Sequence, residues 1–201
     1  MSDDILRGWD ALDIKLKTVY GDQEPKRWGT LRSYAEGGPD PLDGVSAYLA
    51  TAPPHWHYVT YGFSELYEKE SDNQQVSGWG FELSFRLQRS PSDAAPPEWP
   101  VLFLQTLARY VFNTGEPFDH GHYIRWGGPI CKETPTKLEA LVFSADPALG
   151  QLNTPNGTLK FLTAIGITAD EHKFAEEKDP EELLRRLLEK NPLGVVDLQR
   201  G

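Results

Sequence analysis

Four of the five histidines form two H-x-H pairs, His55 with His57 and His120 with His122. In a strand, residues two apart share a face, so each pair could present two imidazoles to one ion. Four such rings could bind Zn²⁺ and serve a metal-dependent enzyme. No acidic residue is evident beside either pair to orient the rings, and hydrogen-bonded structural histidines show the same pattern. We therefore favour structural histidines with no metal and no cofactor, and total metal analysis would detect the enzyme alternative.

A second candidate for chemistry is Ser64, which lies in the sequence G-F-S-E-L from Gly62 to Leu66. This is half of a G-x-S-x-G nucleophile elbow. Because Leu66 replaces the second glycine, the strained turn that exposes a nucleophile is not expected, and Ser64 is interpreted as a turn or cap residue. Phosphate-loop, H-E-x-x-H, C-x-x-C and EF-hand patterns are absent from the sequence. The motifs therefore indicate no class of enzyme.

The strongest structural signal is the stretch Gly78 to Arg89, in which large apolar residues alternate with polar ones. The apolar positions are Trp79, Phe81, Leu83, Phe85 and Leu87. Side chains alternate between the two faces of a strand, so this pattern predicts a long, half-buried strand at the centre of a sheet.

The rest of the chain mixes helix and strand patterns without a strict alternation. Helices are predicted over Ser2 to Tyr20, from Pro100 to Val111 with Tyr110 in its buried stripe, over Asp170 to Glu176, and from Pro180 onwards with Asp179 as its cap. Strands are predicted near Leu31 to Tyr34, at His55 to Gly62, His122 to Trp126, Leu138 to Ser144 and Thr158 to Ile167. Val45 to Ala50 fits either a strand or a short helix. We predict an α+β fold in which helices flank a mixed central β-sheet, forming one domain over residues 1–201.

Composition narrows the range of functions. The formal net charge of −10 argues against binding to nucleic acid, which requires clustered Lys and Arg. Cys131 is the single cysteine, so no intrachain disulfide can form and a reducing compartment is indicated. No apolar stretch reaches the roughly 18 residues that a membrane span requires. These features predict a cytoplasmic protein that uses neither a membrane nor a nucleic acid.

Several segments, in this order and spacing, resemble the Suppressor of fused family. They are GGPDPLD from Gly37, PHWHY from Pro54, YGFSELY from Tyr61, GWGFELSFRL from Gly78 and LARYVF from Leu107. The resemblance covers roughly residues 10 to 195. It implies the N-terminal domain of a two-domain cytoplasmic regulator, which clamps a short segment of Gli transcription factors as an added β-strand.

The resemblance also implies a binding site and a type of function. Tyr67 matches a tyrosine that the animal domain uses, Gln74 falls at an acidic position of that domain, and Asp72 lies close by. We predict a non-enzymatic protein-interaction domain whose partner docks at a sheet edge beside Tyr67, Asp72 and Gln74. Acidic residues in this loop favour a partner that carries His, Lys or Arg. A stand-alone domain also resembles bacterial family members proposed as immunity proteins, which makes a toxin an alternative partner.

Overall fold

The computed structural model describes residues 7–32, 34 and 36–201, and within them the chain forms four helices and a mixed β-sheet. The strands are β1 (Lys26–Gly29), β2 (Gly44–Thr51), β3 (Pro54–Tyr61), β4 (Val76–Gln88), β5 (Tyr123–Arg125), β6 (Leu138–Ala145), β7 (Gln151–Thr154) and β8 (Gly157–Thr168). The helices are α1 (Gly8–Tyr20), α2 (Trp99–Thr114), α3 (Ala169–Glu177) and α4 (Pro180–Lys190). The strand order is β1-β2-β3-β4-β8-β6-β5, and β7 pairs with β8 outside this path.

Strand β4 lies at the centre of the sheet, as predicted, antiparallel to β3 and parallel to β8. This pairing makes the sheet mixed and confirms the α+β class. The apolar face of β4 packs on α2. The Phe85 ring lies 5.1 Å from that of Phe103 and 5.6 Å from that of Trp99, measured between centroids. Phe85 is fully buried, so its side chain joins the sheet to this helix.

The prediction that β4 is half-buried was wrong, because its polar face is buried as well. Glu82 and Arg86 are 0% and 1% exposed, and Ser84 between them is fully buried. The reason is a second helical layer. Helices α1, α3 and α4 cover the face of the sheet opposite α2, over two further apolar clusters. The polar residues of β4 lie beneath this layer instead of facing water.

The N-terminal elements partly match their predictions. Helix α1 ends at Tyr20 as predicted, and Gly21, which follows it, has a positive φ of 62° that suits a helix terminus. The predicted start at Ser2 lies outside the described residues. The strand predicted near Leu31 to Tyr34 was wrong; the strand is β1, a few residues earlier, and Ser33 is outside the described residues. The ambiguous stretch from Val45 is a strand, β2, which pairs with β3 along its whole length.

The later helices follow their sequence signals closely. Asp179 precedes α4, and its side chain accepts a hydrogen bond from the backbone N–H of Glu181 at 2.9 Å, so the predicted cap is confirmed. Tyr110, predicted within the buried stripe of α2, is instead 40% exposed. None of the helices in the described part of the chain is long and apolar enough to cross a membrane.

Candidate partner-binding groove

The first histidine pair lies side by side on β3 and bonds to neighbouring protein groups. His55 Nδ1 lies 2.7 Å from the carbonyl oxygen of Pro53, and His57 Nδ1 lies 2.5 Å from the hydroxyl of Tyr20. The expectation that no acid stands beside the pair was wrong, because Asp146 Oδ2 lies 3.6 Å from His57 Nε2. His57 is fully buried, so an ion from solvent has no direct access to its ring.

The second histidine pair lies in the loop before β5, with only His122 next to the strand. His120 Nε2 lies 3.1 Å from Glu181 Oε2, and His120 Nδ1 accepts a hydrogen bond from the Ala145 N–H. His122 Nδ1 accepts from the Asp119 N–H at 3.2 Å. Among the residues that the structure describes, no three His, Cys, Asp or Glu side chains are grouped so that they could hold a metal ion.

The buried polar face of β4 contains a bidentate ion pair between Arg86 and Asp146. The two nitrogen–oxygen distances are 2.8 and 3.0 Å, and both side chains are almost completely buried. Ser84 donates to Asp146 at 2.5 Å, and Thr163 on β8 donates to it at 3.1 Å. Backbone N–H groups after β6 complete the set, including that of Leu149 at 2.8 Å. Asp146 therefore ties β4 and β8 to the loop after β6 through charge-assisted hydrogen bonds.

The pair also fixes the ionisation of its neighbours. Burial by itself would raise the pKa of Asp146, but the contact with His57 and the charge of Arg86 hold it well below its usual range. Burial, assisted by the charge of Arg86, lowers the pKa of His57 to about 4. A neutral His57 that accepts a hydrogen bond from the Tyr20 hydroxyl at Nδ1 carries its own proton on Nε2, facing Asp146.

Glu82 holds the backbone that follows β3. Its carboxylate accepts hydrogen bonds from the N–H groups of Gly62 and Ser64 at 3.0 and 2.9 Å. The hydroxyls of Ser64 and Thr60 donate to it at 2.6 Å each. Burial raises the pKa of Glu82 to about 7, against the opposing effect of these donors. Ser64 is thus a buried partner of Glu82, in keeping with its interpretation as a turn residue.

We expect Glu82→Gln to change how stability depends on pH. The folded-state pKa of about 7 exceeds the ordinary value of 4.5, so the contribution of Glu82 is fully present below about pH 4.5. It is lost as pH rises through 7. Glutamine stays neutral at every pH. From pH 5 to pH 8, the free energy of unfolding of the variant should therefore rise relative to that of the wild type, by at most about 3 kcal/mol. Urea unfolding of both proteins at pH 5 and pH 8 measures this change. If the free energies of unfolding of the two proteins differed by the same amount at both pH values, the raised pKa of Glu82 would be contradicted.

The control for this experiment is internal. His57 has a lowered pKa, so its contribution to stability is lost as pH falls from its ordinary value of 6.5 through about 4, the opposite sign to Glu82. Both proteins contain His57, so its effect cancels when the two free energies of unfolding are subtracted. The amide of the variant can still accept from Gly62 and Ser64 and can donate to the hydroxyl of Thr60.

A groove of about 520 Å³ opens where the segment after β3 meets the start of β4. Its walls come from separate parts of the chain: Asp43 before β2, Tyr67 after β3, Trp79 on β4 and Phe112 on α2. Tyr34 closes one side and contacts Phe112 edge-on, with ring centroids 5.2 Å apart. Tyr67 is 54% exposed, so a large rigid aromatic ring faces solvent within a concave surface.

The backbone beneath Tyr67 is rigidly held. Residues 62–66 lie along the first half of β4, and the Trp79 N–H donates to the Phe63 carbonyl at 2.9 Å. Gly78 permits this close approach, since it has φ +54° and a Cβ there would lie 2.5 Å from the Phe63 oxygen. Together with the bonds to Glu82, this contact presents Tyr67 from a fixed support.

Glu65 organises the loop that continues from Tyr67. Its carboxylate accepts from the N–H groups of Glu70 and Ser71 at 2.9 and 2.6 Å. Lys69 pairs with Glu65 at 2.7 Å and also donates to the Val76 carbonyl at 2.6 Å. The loop is therefore closed on itself by the partly buried ammonium of Lys69 and the carboxylate of Glu65, instead of being merely solvated.

The three residues predicted to bind a partner are only partly brought together. Tyr67 lines the groove, whereas Asp72 and Gln74 are exposed on the same loop but do not line it. The Gln74 amide donates to the Ser71 carbonyl at 3.4 Å. Glu68, which was not singled out from the sequence, lines the groove beside Tyr67.

The loop that contains Tyr67 does not belong to either edge strand of the sheet. The outermost strands of the described sheet are β1 and β5, and Tyr67 belongs to neither. The local edge is the segment 62–66, which takes the place of a neighbouring strand beside the first half of β4. Within the described residues, the backbone N–H and C=O groups of Tyr67 and Glu68 have no hydrogen-bond partner.

Sequence reasoning missed most of the groove. Tyr34, Asp43 and Phe112 come from loops and a helix far from Tyr67 in sequence, so no local pattern joins them. Glu65 has a usable signal, since Lys69 follows at the i,i+4 spacing of a side-chain pair. Glu82 carried no signal, because a glutamate on the polar face of an alternating strand normally faces water.

Comparison with known proteins defines the class to which this chain belongs. The family model described as "Suppressor of fused protein (SUFU)" matches residues 38–201, so the chain belongs to the Suppressor of fused family. It is 34% identical over 210 residues to the Suppressor of fused homologs of Homo sapiens and Mus musculus. That alignment covers 96% of this chain and 43% of each relative, so the chain spans less than half of their length.

Solved structures agree with this assignment. A chain in the crystal structure of the Sufu-Fu complex superposes with a TM-score of 0.91 and 32% identity, covering 98% of this chain and 92% of that one. Drosophila Suppressor of Fused superposes with a TM-score of 0.90 and 31% identity, covering 100% of this chain and 52% of that one. A SUFU homolog from Neisseria gonorrhoeae shares the fold, with a TM-score of 0.66 and 17% identity, covering 96% of this chain and 95% of that one.

Proposed function

We propose that this protein is a non-enzymatic protein-interaction domain that binds a segment of a partner protein in the groove beside Tyr67. The observation that carries the proposal is an exposed tyrosine on a rigidly held backbone inside a concave surface. Tyrosine suits this role because it combines a large rigid contact area with one polar tip. Asp72 and Gln74 lie on the adjacent loop, where they contact the parts of the partner that extend beyond the groove.

The comparisons support a role in protein binding. The Suppressor of fused chain in the Sufu-Fu complex is 92% covered by this chain, so a unit of this extent occurs in a protein complex. We propose that residues 1–201 act as one such unit, in the cytoplasm. Neutralisation of a toxin is a special case of this function and differs only in the identity of the partner.

An extended segment is the form of partner that the groove favours. The unpaired backbone groups of Tyr67 and Glu68 can exchange hydrogen bonds with an extended peptide, as in strand addition to a sheet edge. Such bonds give affinity without regard to sequence, so specificity must come from the side chains that line the groove. The exposed acids of the loop steer a basic partner towards it.

Once a partner has been identified, we expect Tyr67→Ala to weaken binding by at least about 1 kcal/mol, because truncation removes the aromatic contact area. The melting temperature should change little, since the Tyr67 side chain is more than half exposed. Titration calorimetry and a thermal melt measure the two quantities. Unaltered binding, or a loss of binding matched by an equal loss of stability, would contradict the proposal.

A further inference from the structure

The walls of the groove are aromatic on one side. Phe112 lies at the centre of three ring contacts, 5.2 Å from Tyr34, 5.5 Å from Trp79 and 6.2 Å from Phe63. Phe112 and Trp79 are half-buried, and Tyr34 is 41% exposed, so all three leave ring surface accessible in the groove. Such a surface attracts apolar chains, and the faces of the rings also attract cations.

The same groove is lined by acids that have no counter-charge. Glu65 is paired with Lys69, but in the described part of the chain Asp43, Glu68 and Glu70 form no ion pair. None of the described residues that line the groove is Lys, Arg or His. The groove thus combines exposed ring faces with unneutralised negative charge.

Asp43 occupies the most informative position among these acids. It is only partly exposed, and no hydrogen bond to its carboxylate is present among the described residues. Burial, followed by the charge of Glu36, raises the pKa of the Asp43 carboxyl. A partly desolvated carboxylate without a donor or a cation carries a free-energy cost, which a cationic ligand would relieve.

We propose that the groove selects a partner segment that carries a lysine or arginine, whose aliphatic stem packs on Phe112 and Trp79 while its charged end lies beside Asp43. This inference rests on the function proposed above and adds the chemistry of the bound side chain. Long cationic side chains fit this surface because they pair an apolar stem with a charged tip. Histidine has no such stem and is mostly neutral at pH 7, so it gains less from the unpaired acid.

The experiment uses a displayed library of random heptapeptides, selected on the wild-type protein and counter-screened on variants. Asp43→Asn removes the charge and keeps the shape, and Tyr67→Ala removes the proposed docking residue. Glu177→Gln on α3 is the matched control, because it removes the same charge outside the groove. We expect selected peptides to share a Lys or Arg at one position, and Glu177→Gln to bind them as the wild type does.

Dissociation constants then test the contact between the basic side chain and Asp43, through substitutions in the peptide and in the protein. Replacing the shared Lys or Arg of the peptide with Met should weaken binding to the wild type about fivefold or more, but should change binding to Asp43→Asn much less. Because the peptide substitution is read on the wild-type protein, the test stands even if Asp43→Asn fails to fold. A thermal melt establishes whether that variant is folded.

The outcomes separate the two proposals. Peptides that depend on Tyr67 but share no Lys or Arg, including peptides that share His, would overturn the present inference and leave the docking groove in place. A basic preference that is equally strong on folded Asp43→Asn would also overturn it. If no peptide is captured in a Tyr67-dependent manner, both the inference and the proposed function fail.

Discussion

Replacing Asp146 with Ala while Arg86 is retained should lower the free energy of unfolding by about 3–5 kcal/mol. The substitution leaves the guanidinium buried, at 1% exposure, without its bidentate partner. It also removes the acceptor for the Ser84 and Thr163 hydroxyls and for backbone N–H groups after β6. Equilibrium urea unfolding of the wild type and the variant measures the change.

The control is a solvent-exposed ion pair that also contains an aspartate. Asp22 pairs with Lys17 at 2.7 Å, but both side chains are largely exposed, so Asp22→Ala should leave the unfolding midpoint unchanged. Equal midpoints for Asp146→Ala and Asp22→Ala would show that the buried network does not stabilise the sheet as described.

Phe85→Ala should destabilise the protein by a similar amount, about 3–5 kcal/mol. The ring is fully buried between β4 and α2, and its removal leaves a cavity that Trp99 and Phe103 cannot fill without shifting the helix. Denaturant unfolding measures the loss. Leu102→Ala serves as the control, because Leu102 lies on the same helix but is 66% exposed. If Phe85→Ala unfolded at the same denaturant concentration as the wild type, Phe85 would not lie in the core between β4 and α2.

The sequence predicted the architecture well wherever a periodic pattern reported directly on burial. The alternation from Trp79 to Leu87 located the central strand, and the cap at Asp179 located the last helix. The pattern could not show that Glu82 and Arg86 are buried. Polar residues on one face of a strand look the same whether they face water or partners such as Asp146, which is distant in sequence.

The candidate site was less predictable for a related reason. Tyr67 was singled out through the family resemblance, and the structure places it in a groove, whereas Asp72 and Gln74 on the same loop do not line that groove. Asp43 and Phe112 complete the surface from other elements. Which residues converge there depends on how the loop before β2 and helix α2 meet the start of β4, and no local spacing encodes that.

Two tyrosines of the same protein, compared side by side, test the proposed binding site most directly. Tyr67 lines the groove at 54% exposure, and Tyr110 on α2 is 40% exposed but does not line it. For one identified partner, we expect Tyr67→Ala to raise the dissociation constant at least about fivefold and Tyr110→Ala to leave it unchanged, with both proteins folded. Weakening by Tyr110→Ala alone, or equal effects of the two substitutions, would contradict a binding site beside Tyr67.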